Sequence, residues 1–325
     1  MIALSATEVG SAAGEPGHQA DDGRGMVRIS LAAIRGNYRA ITDRIAPARC
    51  GAVLKADAYG LGIGRIAPAL YEAGCREFFV AVLAEALALK PLLPGDAVIH
   101  VLNGLMPGQE AACAGHGAVS GNGSGAVLQL DSGMSRMGLP PEEWQALAAD
   151  RQLVERLGLT LVMSHLAVAD EPEHPGNALQ LAAFKAAAAQ FPAMPRSLAN
   201  SAGIFLSPAY HFDLCRSGAA LYGLVASPRM PRLDPAIAVY GRIVQIRSIA
   251  PGTMVGYGWA FRARRKTRVA TVSVGYADGF LRFASDRGAV WLGAHRLPVI
   301  GRVSMDCLTV DATDVPADRI GPGDY

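Results

Sequence analysis

Residues 51–64 read GAVLKADAYGLGIG. Gly51, Ala52, Val53 and Leu54 begin as a buried strand should, and Lys55 then stands where the apolar run would continue. An unpaired ammonium is costly to bury, so a lysine at that point must either escape to water or hold a partner. If the strand belongs to a barrel, Lys55 sits at its C-terminal mouth, the face where such folds place their sites. A partly desolvated amine there can lose its proton and condense with an aldehyde. Taken alone, a lysine after an apolar run is more often a snorkelling surface side chain. Tyr59 follows four residues later, and Gly60, Gly62 and Gly64 permit a close backbone approach to a ligand or simply form an ordinary βα turn.

Working outward, apolar strand patterns recur at 51–54, 78–83, 97–102, 126–130, 159–163, 196–199 and 212–215. Helical patterns fall between most of them, notably over Leu179–Phe191, and such alternation predicts a parallel sheet. Over this length the expected architecture is α/β, a (β/α)8-type barrel spanning 27–235. It starts with MVRISLAAIRGNYRAI, where Val27 and Ile29 form a short strand and Leu31, Ile34, Tyr38 and Ile41 share one helix face. Seven strands are counted where eight would close, so one β/α unit is missing. The place for the lost strand is the stretch after Leu102, where SGNGSG (120–125) resembles a flexible linker and only Gly117–Val119 remains as a strand stub. Strands flanking such a gap either meet directly or leave two edges, which predicts a strained or open barrel.

After SPRMPRLDP (227–235) the composition shifts toward β-branched residues. AIAVYGRIVQIRSIA, TRVATVSVGY, AVWLG, RLPVIG and RVSMDCLTVDA read as strands with tight turns, an all-β domain over 236–325. It stops at GPGDY with no closing strand or helix, and so reads as truncated at its C-terminal end.

Composition narrows the class. Hydrophobic residues make up 51% of the chain but aromatics only 6%, so the apolar fraction is rich in alanine, as in a helix-rich globular enzyme. A net charge of +2 carries no polyanion signal, and the basic run Arg262, Arg264, Arg265, Lys266 and Arg268 reads as a solvated turn because no aromatic platform accompanies it. Neither a nucleic acid nor a membrane is expected as a partner, since no apolar run reaches spanning length. The cysteines, Cys50, Cys75, Cys113, Cys215 and Cys307, are odd in number and lack C-x-x-C spacing, which predicts reduced thiols in the cytoplasm and no metal site. Residues 1–26 lack the basic and apolar regions of a signal peptide and read as a disordered leader.

AVLKADAYGLG (52–62) resembles the cofactor-lysine motif of the alanine racemases, pyridoxal-phosphate enzymes built from a barrel and a β domain. LDSGMSRMG, SHLAVAD, NSAG, CRSGAALYG, VGYADG and GRVSMD follow in that family's order. The resemblance implies that Lys55 forms an aldimine with pyridoxal 5'-phosphate and acts as base or acid on one face of the substrate α-carbon. Tyr276 would act on the opposite face, supplied by the other subunit, so that one base takes the proton and the other returns it inverted. A tyrosine with an ordinary pKa of about 10 needs nearby positive groups for that role, and His165 and Arg216 resemble the residues that provide them. Arg216 would also donate to the pyridine nitrogen and keep it an unprotonated acceptor, a weaker electron sink.

By the same resemblance, Tyr59, Ser201 and the N–H groups of Gly218 and Ala219 would hold the phosphate. The physical rule that barrels bind phosphate after their last two strands points to the same place. Arg136 and the N–H of Met305 would hold the substrate carboxylate, with Met305 again from the partner and Asp306 fixing its loop. A homodimer with shared sites is thereby implied. Three departures from the family stand out: Gln129 where many members carry a carbamylated lysine that braces the arginine matching Arg136, the SGNGSG gap, and the absence of a C-terminal segment that carries a further phosphate-contacting tyrosine. The expected activity is interconversion of L- and D-alanine, supplying D-alanine for peptidoglycan. Two other readings are an inactive deletion fragment of a racemase and a non-catalytic pyridoxal-phosphate-binding protein; the latter typically lacks a β domain.

Overall fold

The computed structural model describes residues 25–109 and 125–325. The expected leader up to residue 24, the stub Gly117–Val119 and most of SGNGSG lie outside the described residues. The chain divides into two compact units, Ile29–Ile237 and a second formed by Ala238–Tyr325 with the residues up to Arg28. The first strand, β1 (Met26–Ile29), therefore has a distant partner: it pairs with Ile237–Tyr240 and takes no place among the barrel strands.

The first unit opens with α1 (Leu31–Ile45), capped by Ser30, whose Oγ accepts the Ala33 N–H at 3.1 Å. It continues through β2 (Arg49–Val53), α2 (Ile63–Glu72), β3 (Glu77–Val80), α3 (Leu83–Leu89) and β4 (Val98–Val101). Beyond the undescribed segment come β5 (Ala126–Gln129), α4 (Pro141–Ala149), α5 (Arg151–Leu157), β6 (Leu159–Met163), α6 (Gly176–Ala188), β7 (Arg196–Ser197) and β8 (Leu214–Ser217). Helix α6 lies three residues earlier at both ends than its apolar pattern predicts. Its last turn stops at Ala188, and the chain then bends through Ala189 to Phe191, which is still buried.

The strands are parallel, in the orders β4-β3-β2-β8 and β5-β6-β7. Backbone bonds join the two runs, the Asp213 N–H donating to Arg196 O at 3.1 Å and the Arg216 N–H to Ala199 O at 2.9 Å. Among the described residues no pairing joins β4 to β5, the two strands that flank the undescribed segment. The strands carry side chains on two apolar faces, as parallel strands covered by helices must. Phe79 points inward with Val53, Leu161 and Leu214, while Phe78 packs outward with Ile34, Tyr38, Ile66, Leu70 and Leu89 from the helices. The result is an α/β barrel unit whose strand C-termini carry the residues singled out from the sequence, apart from Tyr276 and Met305.

The second unit is all β. After β9 (Ile237–Tyr240), strands β10 (Ile243–Ile249), β13 (Thr267–Val272) and β16 (Leu308–Asp311) form an antiparallel sheet; β11 (Met254–Val255) with β12 (Phe261–Arg262), and β14 (Ala289–Leu292) with β15 (His295–Pro298), pair separately. Ile243, Ala270, Val272, Leu297, Leu308 and Val310 form its core. The basic run is tied to this unit: Arg265 pairs with Asp314 at 2.9 Å, and the Arg268 guanidinium donates to Ala312 O.

Candidate active site

Lys55 follows Leu54 directly off the end of β2, and its side chain is exposed in a cavity of about 580 Å3 at the C-terminal ends of the strands. Tyr59, Gln129, Arg136, His165, Asn200, Ser201, Arg216, Gly218 and Ala219 line the same cavity. The fold thus gathers residues spread over more than 160 positions, because each closes a parallel strand at the same end of the barrel.

Arg216 is the buried anchor. It is 3% exposed on the inner side of β8, and its guanidinium donates to Ser197 Oγ and Ser164 O at 2.5 Å each and to Leu198 O at 3.4 Å. All these partners are neutral, and no carboxylate pairs with it among the described residues. Burial lowers its pKa to about 10, which still leaves it a cation at neutral pH.

His165 stands beside it. Its Nδ1 lies 3.4 Å from Arg216 Nη2, and its Nε2 lies 3.5 Å from the Asn200 side-chain nitrogen. Burial, followed by the charges of Arg216, Arg136 and Lys55, lowers its pKa to about 3, so the ring is neutral and is not the positive group expected of it from the sequence; Arg216 alone of that pair carries charge. Its backbone is clamped by Gln180 of α6, whose amide donates to His165 O at 3.0 Å and accepts the Ala167 N–H at 2.8 Å.

The expected phosphate cradle is assembled from β7 and β8. Ser201 Oγ accepts the Gly218 N–H at 2.9 Å and the Ala220 N–H at 3.3 Å, while the Ala219 N–H has no acceptor among the described residues. Tyr59 packs its hydroxyl against Gly218 so closely that a Cβ there would collide with it. Its ring lies 5.2 Å from that of Tyr222, a residue 1% exposed whose hydroxyl has no partner among the described residues.

Arg136 is carried by a tight loop after β5. The Asp131 carboxylate accepts the N–H groups of Gly133, Met134 and Ser135 at 2.9, 3.0 and 3.1 Å. The loop closes where the Leu139 N–H donates to Gln129 O at 2.9 Å, and Gly138, at φ +100°, lies too near Leu130 and Asp131 to carry a side chain. Gln129 and Arg136 both line the cavity, and the Arg136 guanidinium has no ion-pair partner among the described residues.

Tyr276 and Met305 belong to the second unit, where they are neighbours. The Tyr276 N–H donates to Ser304 O at 3.0 Å and the Ala277 N–H to Met305 O at 2.9 Å. Gly275 fits against the Met305 carbonyl only because it lacks a Cβ. Both side chains are exposed, at 41% and 59%, and the Met305 N–H has no acceptor among the described residues. Two segments nearly 30 residues apart in sequence thus present Tyr276 and Met305 side by side.

Three residues whose side chains hold the surroundings of the cavity escaped the sequence reading. Asn200 and Asp131 fall inside quoted motifs but act through backbone geometry that no pattern displays. Glu85 sits in an unremarkable helix start, and its carboxylate accepts the Ala56 N–H at 2.6 Å and the Ala81 N–H at 2.7 Å. As a whole, the cavity sets three cations, Lys55, Arg136 and Arg216, against one carboxylate, Asp170. It suits a small ligand carrying more than one anionic group and a hydrogen-bond acceptor for Arg216.

Comparison with known proteins agrees with this geometry. Residues 29–120 and 112–226 match the alanine racemase N-terminal domain, and residues 236–324 match the alanine racemase C-terminal domain. The chain is 46% identical to an alanine racemase of Brucella canis, covering 92% of this chain and 84% of that one. It is 43% identical to a catabolic alanine racemase of Agrobacterium fabrum, over 92% and 82% of the two chains. The crystal structure of alanine racemase from Bartonella henselae with covalently bound pyridoxal phosphate superposes with a TM-score of 0.85 at 40% identity, covering 93% of this chain and 89% of that one. With both domain families matched in order over nearly all of its length, the chain belongs to the alanine racemase family.

Proposed function

We propose that this protein is a pyridoxal-phosphate-dependent racemase that interconverts L- and D-alanine, working as a homodimer with shared sites. The observation that carries this reading is the cationic cavity, in which an exposed lysine and two arginines without a carboxylate partner among the described residues, one of them buried, surround a neutral histidine. The residues fit the cofactor. Ser201, Tyr59 and the open Ala219 N–H would hold its phosphate together with Gly218, whose missing side chain leaves room beside Tyr59. Bound there, pyridoxal 5'-phosphate supplies an aldehyde for the amine and a ring that withdraws electrons from the substrate α-carbon.

The residues of the chain do the rest. Lys55 Nζ holds or releases a proton on one face of the α-carbon, and Tyr276 Oη, from the partner subunit, does so on the other. Arg216 would donate a hydrogen bond to the ring nitrogen without giving up its proton, so that this nitrogen would stay an acceptor. Arg136 and the partner's Met305 N–H bind the substrate carboxylate, with the neutral amide of Gln129 beside Arg136 in place of a carbamate. Supply of D-alanine for peptidoglycan in the cytoplasm is the role this reading favours. The enantiomers have equal free energy in water, so the direction of flux is set by what supplies and consumes them.

The test is D-alanine formation from L-alanine by purified protein with added pyridoxal phosphate, with Lys55→Ala as control. Turnover that the substitution abolishes is expected. A folded, cofactor-loaded protein with no turnover would leave a silenced member of the family.

A further inference from the structure

Directly after Lys55 the backbone takes an unusual path. Ala56, Asp57, Ala58 and Tyr59 all lie in the left-handed region, with φ of 54°, 53°, 56° and 61°, and none is glycine. Left-handed residues of this kind are each disfavoured by about 1–2 kcal/mol, and a run of them persists only where the surroundings over-determine it.

The restraints can be named. At the far end of the turn, Asp57 Oδ1 accepts the Ile63 N–H at 2.7 Å and Asp57 O accepts the Gly62 N–H at 3.0 Å. In the middle, the Ala58 N–H donates to Leu54 O at 2.8 Å and Ala58 is fully buried. At the start, the Ala56 N–H has Glu85 as its acceptor. Glu85 lies in the first turn of α3, and its other oxygen takes the N–H groups of Ala81 and Val82 just beyond β3, at 2.7 and 3.4 Å. One carboxylate thereby ties the lysine-bearing turn to the end of the adjacent barrel strand.

The Ala56 N–H belongs to the peptide plane that leaves the Cα of Lys55. On the other side of that Cα, the Leu54 N–H donates to Phe79 O at 2.7 Å, so Lys55 is held between two anchored backbone groups, which restrains its φ and ψ and the direction in which its Cα–Cβ bond leaves the strand. We infer that Glu85 is a positioning residue for Lys55, holding the reactive amine in register with the cavity through the Ala56 peptide. The inference rests on the proposed role of Lys55. A carboxylate is required because both of its oxygens accept; an amide offers one acceptor and would turn its NH2 toward an N–H.

The test compares Glu85→Gln with Leu89→Ala, which removes a buried side chain from the same helix without touching the turn. Three readouts are taken on wild type and both variants: the melting temperature, the rate at which added pyridoxal phosphate develops its visible absorbance on Lys55, and kcat and KM for alanine. Glu85→Gln is expected to slow cofactor attachment and lower kcat by at least about tenfold, as misplacement of a reacting group does, with KM little changed. Leu89→Ala is expected to lower the melting temperature while leaving attachment and kcat close to wild type. If Glu85→Gln attaches cofactor and turns over like wild type, or if Leu89→Ala reproduces its losses, Glu85 serves only to cap α3 and the inference is overturned. Wild-type protein that neither attaches cofactor nor racemises would instead overturn the racemase reading, and the inference with it.

Discussion

The His165 ring presents Nδ1 to Arg216 Nη2 at 3.4 Å, and both atoms can meet only if the imidazole nitrogen is unprotonated. The amide nitrogen of Asn200, oriented by the Gly203 N–H that donates to its oxygen at 2.9 Å, approaches the other ring nitrogen. Protonation would put an N–H on Nδ1 against the Arg216 donor, in a cavity that already holds Lys55 and Arg136. Geometry and electrostatics thus agree that His165 stays neutral, with its pKa lowered to about 3 by burial first and then by these charges.

That neutrality makes the fold sensitive to acid. In the unfolded chain His165 titrates near its ordinary value of about 6.5, while in the folded chain it resists protonation down to about 3. Its contribution to stability is therefore fully present above pH ~6.5 and is lost progressively as pH falls toward ~3. At pH 5 the loss is ~2 kcal/mol, about 1.5 pH units at about 1.4 kcal/mol each. Denaturant midpoints at pH 7.5 and pH 5 for wild type and His165→Gln measure it, since the other histidines cancel in the comparison. The substituted protein should lose less on acidification; parallel losses would show that His165 does not hold its low pKa.

The seven barrel strands were legible because parallel strands covered on both faces spell continuous apolar runs, and β2 to β8 each overlap a run read from the sequence, with β8 shifted two residues later. Lys55 was legible for the complementary reason, a charge that breaks such a run. The left-handed turn was not. Residues 56–59 contain no glycine or asparagine to signal positive φ, and one of the restraints that hold it comes from Glu85, 29 residues away from Ala56 in sequence. The partner of β1 was hidden in the same way: local pattern shows that Val27 and Ile29 make a strand, but nothing local says that it pairs more than 200 residues downstream. The contact of Tyr276 with the Met305 loop escaped pattern reading too, since it depends on a glycine without room for a Cβ.

Asp131 is expected to control substrate binding without touching the substrate. Burial alone would raise its pKa, but the three N–H groups of Gly133, Ser135 and Met134 outweigh that and hold it below the ordinary carboxylate value. The bonds shape the loop that carries Arg136, so Asp131→Ala should raise KM for alanine about tenfold while kcat changes less. Steady-state kinetics on the two proteins decide it. A fall in kcat at constant KM would place the effect elsewhere than in carboxylate binding.

Gly218→Ala tests the phosphate cradle. The added methyl would be driven into the Tyr59 hydroxyl, so Tyr59 must swing away and the approach of a ligand to the Gly218–Ala219 backbone must widen. Equilibrium titration with pyridoxal phosphate should then show affinity reduced by at least about tenfold, with the melting temperature of the cofactor-free protein lowered only slightly. Unchanged affinity would mean that phosphate binds away from this backbone.

The proposed sharing of sites between subunits makes a quantitative prediction. Lys55→Ala and Tyr276→Phe should each be inactive alone, since one lacks the amine in the barrel cavity and the other lacks the hydroxyl on the opposite face of the substrate. If Tyr276 serves its partner's cavity, a dimer containing one copy of each variant has one site with both substitutions and one with neither. Equal amounts mixed, dissociated and reassociated at random give about half heterodimers, each with one intact site of two, so about a quarter of wild-type activity should return. If Tyr276 instead serves the Lys55 of its own chain, each site of a heterodimer carries one substitution and no activity returns. Racemase activity of the reassociated mixture, compared with each variant treated alone, separates the two arrangements.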